Sequence, residues 1–403
     1  MITTLNTSAH DLRAIPDGSV HAVMTSPPYY GLRSYAGEQV VEWPFVVYRL
    51  NEFTEPVAVE PMRCALGLEP SPVAYIGHLI LCLREWRRVL RDDGCIFVNL
   101  GDSYAGSGGA GGDYSSGGLR EGQPKWKSQF KAGDTVKPKD LLGIPWMFAF
   151  AARADGWYLR SEIIWAKPNP MPESVRDRPT KAHEQVFLLA KSSRYFWDAD
   201  AVRENSVKGA AGSTFTNGKT GVNGLGRVSQ NEREESAGRN IRTVWTISTR
   251  PYAKAHYAVW PETLVEPMIL ASTSARGCCS ECGAPWERVV ERKGYPAQEE
   301  KIAELEANGV PRYTAGLRNF SGAKHAAWKA QNPDVTTGWR PTCDHGGEPV
   351  PCTVLDPFAG SGTTGRVAVK HRRAAILCDI SGEYLEDHVP DRTTVQMRLG
   401  VVA

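Results

Sequence analysis

The sequence has no run of about 18 or more apolar residues, so it carries no membrane-spanning helix. It has no surplus of either charge. Lys+Arg number 47 and Asp+Glu 45, for a net charge of +2, which excludes a wholly basic coat and leaves only a local basic face. Met1–His10 shows neither the basic nor the apolar stretch of a secretory signal, so a cytoplasmic location is expected. In that reducing compartment the nine cysteines are expected as free thiols or metal ligands, not disulfides. Internal repeats and coiled-coil heptads are also missing. What is present is ordinary for a folded chain. Of 403 residues 41% are hydrophobic, enough to bury a large core without disulfide staples. At roughly 100–200 residues per domain the length predicts about two or three domains.

Several residue types are unevenly spread. Cys64, Cys82, Cys95 and Cys378 stand alone in apolar surroundings, whereas Cys278, Cys279, Cys282, Cys343 and Cys352 fall close together. Nine glycines crowd Gly101–Gly122, which predicts a mobile loop. A second polar run covers about Ser206 to Asn240. Between Ala151 and Ala255 there are 17 Lys+Arg against 11 Asp+Glu, while the remainder holds 30 against 34. This basic middle is either a solvated face or a surface for phosphates.

Apolar patterning predicts alternating strands and helices. Val20–Thr25 reads as a strand and Tyr75–Leu90 as a helix that Gly94 stops. Cys95–Leu100 follows as a buried strand, then a helix over Leu141–Ala154 and strands at Tyr158–Ala166 and Gln185–Ala190. Glu262–Ala271 reads as a helix, Val350–Asp356 as a strand, Thr364–His371 as the start of a helix and Ala374–Asp379 as a strand. This alternation predicts an α/β fold with a doubly wound, mainly parallel sheet. Ligands of such folds sit at the carboxyl ends of strands.

Two strand ends carry motifs. Asp356-Pro357-Phe358-Ala359-Gly360-Ser361-Gly362-Thr363-Thr364 joins a strand to a helix. Its glycines let the backbone turn tightly beside a ligand, and the helix's first amides face the same crevice. Asp379, 23 residues after Asp356, ends the next strand, where an acid can accept from ribose hydroxyls. The Lys of a Walker loop is missing, so a nucleoside cofactor without a phosphate chain fits better than ATP. A tight structural turn is the plain alternative. The other motif is Thr25-Ser26-Pro27-Pro28-Tyr29. It sets a hydroxyl, a carbonyl freed by proline and a ring able to stack on a base within a few residues.

Together the motifs resemble the S-adenosylmethionine-dependent DNA methyltransferases that modify adenine N6 or cytosine N4. That family's catalytic motif reads Asp/Asn/Ser-Pro-Pro-Tyr/Phe/Trp, and its cofactor motif reads Asp-Pro-Phe-x-Gly-x-Gly-Thr. Ser26–Tyr29 and Asp356–Thr363 match both. The catalytic motif precedes the cofactor motif, as in the family's beta class. His256–Leu264 resembles the helix segment beside the methionine end of the cofactor. Trp165–Pro170 and His183-Glu184 resemble the lining of the base pocket.

The resemblance implies a Rossmann-like methyltransferase fold acting on double-stranded DNA with a flipped target base. It also implies S-adenosylmethionine along Thr25 and Asp356–Thr364, with Asp379 on the ribose. The exocyclic amine of a base is a poor nucleophile because its lone pair is delocalised into the ring. The resemblance implies that Ser26 and the Pro27 carbonyl accept its hydrogens, localising the lone pair, while Pro28 holds the turn and Tyr29 stacks on the base. Ser before Pro-Pro-Tyr accompanies cytosine N4 in most relatives; adenine N6 is the alternative. Methylation of RNA or of a protein amide, or a silent DNA-binding protein of the same fold, are competing readings. A separate restriction endonuclease is a conceivable partner.

The clustered cysteines form a Cys279-x-x-Cys282 knuckle and a Cys343-Asp344-His345 pair 61 residues after Cys282. Three cysteines and a histidine make an ordinary structural zinc set. Cys278 or Cys352 could replace one of them, and unliganded thiols in a loop are the plain alternative. The expected division is a catalytic part at 1–200, a target-recognition region at 201–250 and a cofactor-side helix at 251–275. A zinc insertion at 276–349 and a cofactor-binding part at 350–403 complete it.

Overall fold

The protein is described from a computed structural model covering residues 1–31, 39–105, 137, 139–207, 235–249, 259–293, 307, 328, 331–387 and 389. Only the first five residues of the glycine-rich segment 101–122 fall among these. His256–Ala258 and most of the polar run from 206 to 240 lie outside them. The chain divides into two compact units. One comprises Met1–Asp198, Arg242–Trp286 and Pro341–Ala403; the other comprises Ala199–Ile241 and Glu287–Arg340.

An eight-stranded sheet organises the first unit. Its strands are β1 (Ile2–Asn6), β2 (Val20–Thr25), β3 (Leu90–Leu100), β4 (Tyr158–Ala166), β5 (His183–Ala190), β6 (Val244–Thr246), β7 (Thr353–Asp356) and β8 (Ala374–Asp379). Across the sheet they run β1-β8-β7-β2-β3-β5-β4-β6. Neighbours are parallel except β5, which lies antiparallel to β3 and β4. Every residue of β2 is buried, so both faces of the sheet are covered at its centre. The doubly wound, mainly parallel sheet expected from the sequence is therefore what forms.

The helices are α1 (Pro72–Val89), α2 (Ile144–Ala154), α3 (Glu262–Ser272), α4 (Thr363–Lys370) and α5 (Gly382–Asp387). The pairs α1–α2 and α3–α4 each pack together. α1 begins where the Ser71 hydroxyl accepts the Ala74 amide at 3.2 Å, with Pro72 preset for the first turn. Arg87 and Arg88 in its last turn suit the negative end of the helix dipole. Its inner face buries Tyr75, Leu79, Leu83 and Trp86. No described helix is long and apolar enough to cross a membrane.

Gly94 does not end α1. The helix stops at Val89, and Leu90 turns straight into an extended conformation. Gly94 lies inside β3, where a Cβ would come within 2.6 Å of the Leu90 side chain and 2.9 Å of the His21 carbonyl. The glycine serves close packing, not helix termination. The short polar strand β1 escaped the sequence reading because its ITTLN pattern buries no residue fully.

In the second unit, two antiparallel strand pairs are described. Glu204–Val207 pairs with Glu235–Arg239, and Glu287–Glu291 pairs with Val335–Arg340. An ion pair of 3.0 Å between Arg292 and Asp200 joins the two chain segments.

Candidate active site

β2 and β7 are adjacent and parallel, so their carboxyl ends, carrying Ser26 and Asp356, emerge side by side. A hydrogen bond ties them: the Thr25 hydroxyl donates to Asp356 Oδ1 at 3.0 Å. Asp356 Oδ1 also accepts the Phe358 amide at 3.1 Å, and Oδ2 accepts the Thr364 hydroxyl at 2.5 Å. All three residues Thr25, Asp356 and Thr364 are buried. Burial pushes the Asp356 carboxyl up to about 7, against the pull of those donors. Its side chain thus braces the loop from within.

The outer side of that loop is backbone. Gly360 and Gly362 have φ of +48° and +74°, in the left-handed region that favours glycine. A Cβ on Gly360 would meet nothing within 4 Å, so open space lies beside it. Gly362 caps α4 without any side-chain hydrogen bond, so only backbone lines the start of that helix. Pro357 is buried, Phe358 packs edge-on to Trp86, and Ser361 and Thr363 are buried beside the turn. Asp379 ends β8 and closes the loop from the other side, accepting the Gly360 amide at 2.9 Å and the Ser381 amide at 2.9 Å. Burial pushes its carboxyl upward as well.

The Ser26–Tyr29 turn is held by side chains from other elements. The Tyr29 hydroxyl donates to Glu184 Oε2 at 2.7 Å and accepts from Asn99 Nδ2 at 2.6 Å. Asn99 Nδ2 also reaches Glu184 at 2.9 Å, and Lys167 pairs with the other Glu184 oxygen. Among the described residues the Ser26 hydroxyl has only long contacts, 3.4 Å each to Tyr29 and Asn99. Pro28 gives its carbonyl to the Tyr75 hydroxyl at 2.8 Å. A Cβ on Gly101 would strike the Tyr29 ring at 2.6 Å, so that ring rests on bare backbone. A Cβ on Gly67 would strike the Tyr29 carbonyl at 2.7 Å.

Sequence reasoning found Ser26, Tyr29, Glu184 and Lys167 but missed Asn99, Gly101 and Tyr75. Asn99 and Gly101 sit at the carboxyl end of β3, next to β2 in the sheet. The rule that ligands gather at strand ends could have found them. Asp102, beside them, accepts the amides of Gly143 at 3.1 Å and Ile144 at 3.0 Å, capping α2.

Another set of side chains meets elsewhere in this unit. The ligand atoms of Cys279, Cys282, Cys343 and His345 all lie within 4.8 Å of one another. Cys278 and Cys352 group with His21 instead. Both His21 nitrogens are already engaged: Nδ1 accepts the Thr353 amide at 3.0 Å and Nε2 donates to the Gly283 carbonyl at 2.9 Å. That second grouping therefore leaves no imidazole nitrogen for a metal.

A doubly wound sheet with two ligand-facing loops on adjacent strand ends defines a Rossmann-like methyltransferase fold. The profile of a family of N6/N4 methyltransferases, described as DNA methylase, matches residues 20–279 and 352–389. The chain belongs to this family of DNA methylases. It is 39% identical over 262 residues to the Type II methyltransferase M.Cfr9I of Citrobacter freundii, covering 65% of this chain and 69% of that protein. Type II methyltransferase M.XycI of Xanthomonas campestris pv. cyanopsidis is 38% identical over 269 residues, with 65% and 69% covered. Among solved structures, PvuII DNA methyltransferase (cytosine-N4-specific) aligns at 14% identity with a TM-score of 0.46, over 98% of this chain and 93% of that one.

Proposed function

We propose that this methyltransferase transfers a methyl group from S-adenosylmethionine to the N4 amine of a cytosine flipped out of duplex DNA. The Thr25–Asp356 bond carries the reading, because it joins the two motif loops at one point of the sheet. The Gly360–Gly362 turn, the start of α4 and Asp379 offer backbone and an acid to a nucleoside, and the motif lacks the lysine of a phosphate-binding loop. Bound there, the sulfonium supplies an electrophilic methyl group and a good leaving group.

The chain's own residues do the rest. The Ser26 hydroxyl, held only by 3.4 Å contacts, retains lone pairs for an amino hydrogen. The Pro27 carbonyl accepts the other, since Pro28's is taken by Tyr75. With both hydrogens held, the nitrogen lone pair is localised and aimed. Tyr29, gripped at its hydroxyl and backed by Gly101, presents its ring to the base. The buried Asn99 Oδ1 has no hydrogen bond among the described residues. Ser26 supports cytosine by the family association given above. The second unit and the basic middle of the chain are the proposed reader of the target sequence. Cys279, Cys282, Cys343 and His345 are the proposed ligands of a structural zinc.

Incubation with labelled S-adenosylmethionine and duplex DNA, RNA or protein, with Ser26→Ala as control, tests this. Label in duplex DNA alone, abolished by the substitution, is expected. Label in RNA or protein instead would overturn the substrate reading.

A further inference from the structure

We infer that zinc at Cys279, Cys282, Cys343 and His345 works as a clamp on the cofactor strand, so that methyl-donor affinity depends on the metal through His21. The inference rests on the metal and donor readings above and adds the mechanical link between them.

The first half of the site is a preformed knuckle. The Cys279 amide donates to the Ala284 carbonyl at 2.8 Å, and the Gly283 amide donates back to the Cys279 carbonyl at 2.9 Å. Inside this turn the Glu281 amide points at Cys279 Sγ at 3.4 Å, a donor suited to a metal-bound thiolate. Gly283 has φ +70°, and a Cβ there would press on Arg91 Nη1 at 2.7 Å. Arg91 in turn donates to the Cys282 carbonyl at 2.5 Å.

The second half arrives from far along the chain. The chain leaves the first unit after Trp286 and returns at Pro341, and Cys343 and His345 stand just past the return. The ends are drawn together by the antiparallel strands Glu287–Glu291 and Val335–Arg340 just beyond them, by an ion pair of 3.2 Å between Arg276 and Glu348, and by neutral hydrogen bonds. Cys278 and Val350 exchange two backbone bonds of 2.8 Å, and the Thr342 hydroxyl donates to the Pro285 carbonyl at 2.7 Å. The closure entropy of so long a loop opposes them. A four-ligand ion across the neck, with two ligands from each end, offsets that cost. Three sulfurs and one imidazole select zinc among common divalent ions.

The knuckle meets the sheet at Arg91 on β3 and at His21 on β2, and of these two His21 also holds the cofactor strand. His21 lies on β2, four residues before Thr25. Its Nε2–H is held by the Gly283 carbonyl of the knuckle, and its Nδ1 holds the amide of Thr353, the first residue of β7. Between these strands the paired positions are Val354 with Ala22 and Leu355 with Val23. His21 therefore fastens the entry of the β2–β7 pair as Thr25–Asp356 fastens its exit. If the knuckle opens, Gly283 no longer fixes the His21 ring, and the start of the cofactor strand loses its anchor.

The full chain should be purified under reductant without chelator and its zinc measured by mass spectrometry of the elements. S-adenosylmethionine affinity is then measured by calorimetry on the native chain, the chelator-stripped chain, Cys282→Ser and His21→Ala. One zinc per chain is expected. Stripping and Cys282→Ser should each weaken donor binding about tenfold, an ordinary coupling between linked sites. Returning zinc should restore the stripped chain. His21→Ala should keep its zinc yet bind the donor as weakly as the stripped chain, which decides the matter even if stripping unfolds the protein. Equal donor affinity in His21→Ala and the native chain would overturn the clamp while the metal site stands. Absence of stoichiometric zinc would overturn the metal reading and the clamp together. A native chain that binds zinc but no S-adenosylmethionine would overturn the donor reading on which the inference rests.

Discussion

Ser26–Tyr29 and Asp356–Thr364 leave neighbouring parallel strands at the same end of the sheet, yet they are held by opposite means. The Asp356 loop is shaped from within. Its side chains turn inward, Asp356 onto Thr25, Thr364 and the Phe358 amide, and its outward surface is glycine backbone and the start of α4. The Ser26 turn is shaped from outside. Tyr29 depends on Asn99 from β3, Glu184 from β5, and the bare backbone of Gly101. One loop offers backbone to a cofactor that every turnover presents in the same form. In the proposed reaction, the other offers side chains to a base that is extracted, oriented and released. The contrast means that substitutions around Tyr29 should damage the chemistry and spare donor binding, whereas substitutions around Asp379 should do the reverse.

The largest effect is expected at the amine. Ser26→Ala removes an acceptor used as the lone pair localises, so turnover on DNA should fall about 100–1,000-fold, as for loss of one polar group that steadies a reacting centre. Donor affinity by calorimetry should not change. Next comes Asp379→Ala, which frees the Gly360 and Ser381 amides and removes the proposed ribose acceptor. At ~1.5–3 kcal/mol for a charged hydrogen bond, donor affinity should fall about 10–100-fold. Turnover at saturating donor should move much less. An unchanged affinity would break the contrast.

Gly101→Ala places a methyl group where the Tyr29 ring lies. The ring must shift, and a displacement of about 1 Å costs up to about 100-fold in rate. The readout is the maximal rate on DNA, again with donor affinity intact.

The smallest effect concerns pH. Asp356 has its folded-state value raised from 3.8 to about 7 by burial. Between those values the folded protein keeps a proton that the unfolded chain has released. Stability from this group is therefore fully present below 3.8 and is lost as pH rises through about 7. Asp356→Asn, which retains an acceptor for Thr25 and Phe358, should flatten that part of the decline between pH 5 and 8. Thermal melting of both proteins across this range checks it.

The same contrast explains what the sequence could reveal. The Asp356 loop is a local object. Its strand, its two left-handed glycines and its helix are consecutive, so a dozen residues carry its whole geometry. Asp379 follows at the end of the next strand, and that position could be read from spacing. The clamp around Tyr29 is assembled from residues 70 to 155 positions away, and nothing in Asn99 or Gly101 taken alone marks them. Gly94 misled for a related reason. A glycine after a helix usually ends it, but here the requirement was room beside Leu90 and His21 inside a strand. The proposed zinc ligands were legible because the chemistry fixes residue types and local spacing. The sequence reading took His345 with Cys278 or Cys352 as alternatives, and the fold groups those two cysteines with His21 instead.

The most direct test is the identity of the modified base. Duplex DNA treated with the purified protein and S-adenosylmethionine is digested to nucleosides and resolved by mass spectrometry. The account predicts N4-methylcytosine, absent with Ser26→Ala. N6-methyladenine would contradict the base assigned to Ser26 while sparing the amine chemistry; 5-methylcytosine, or unmodified DNA, would contradict the chemistry itself.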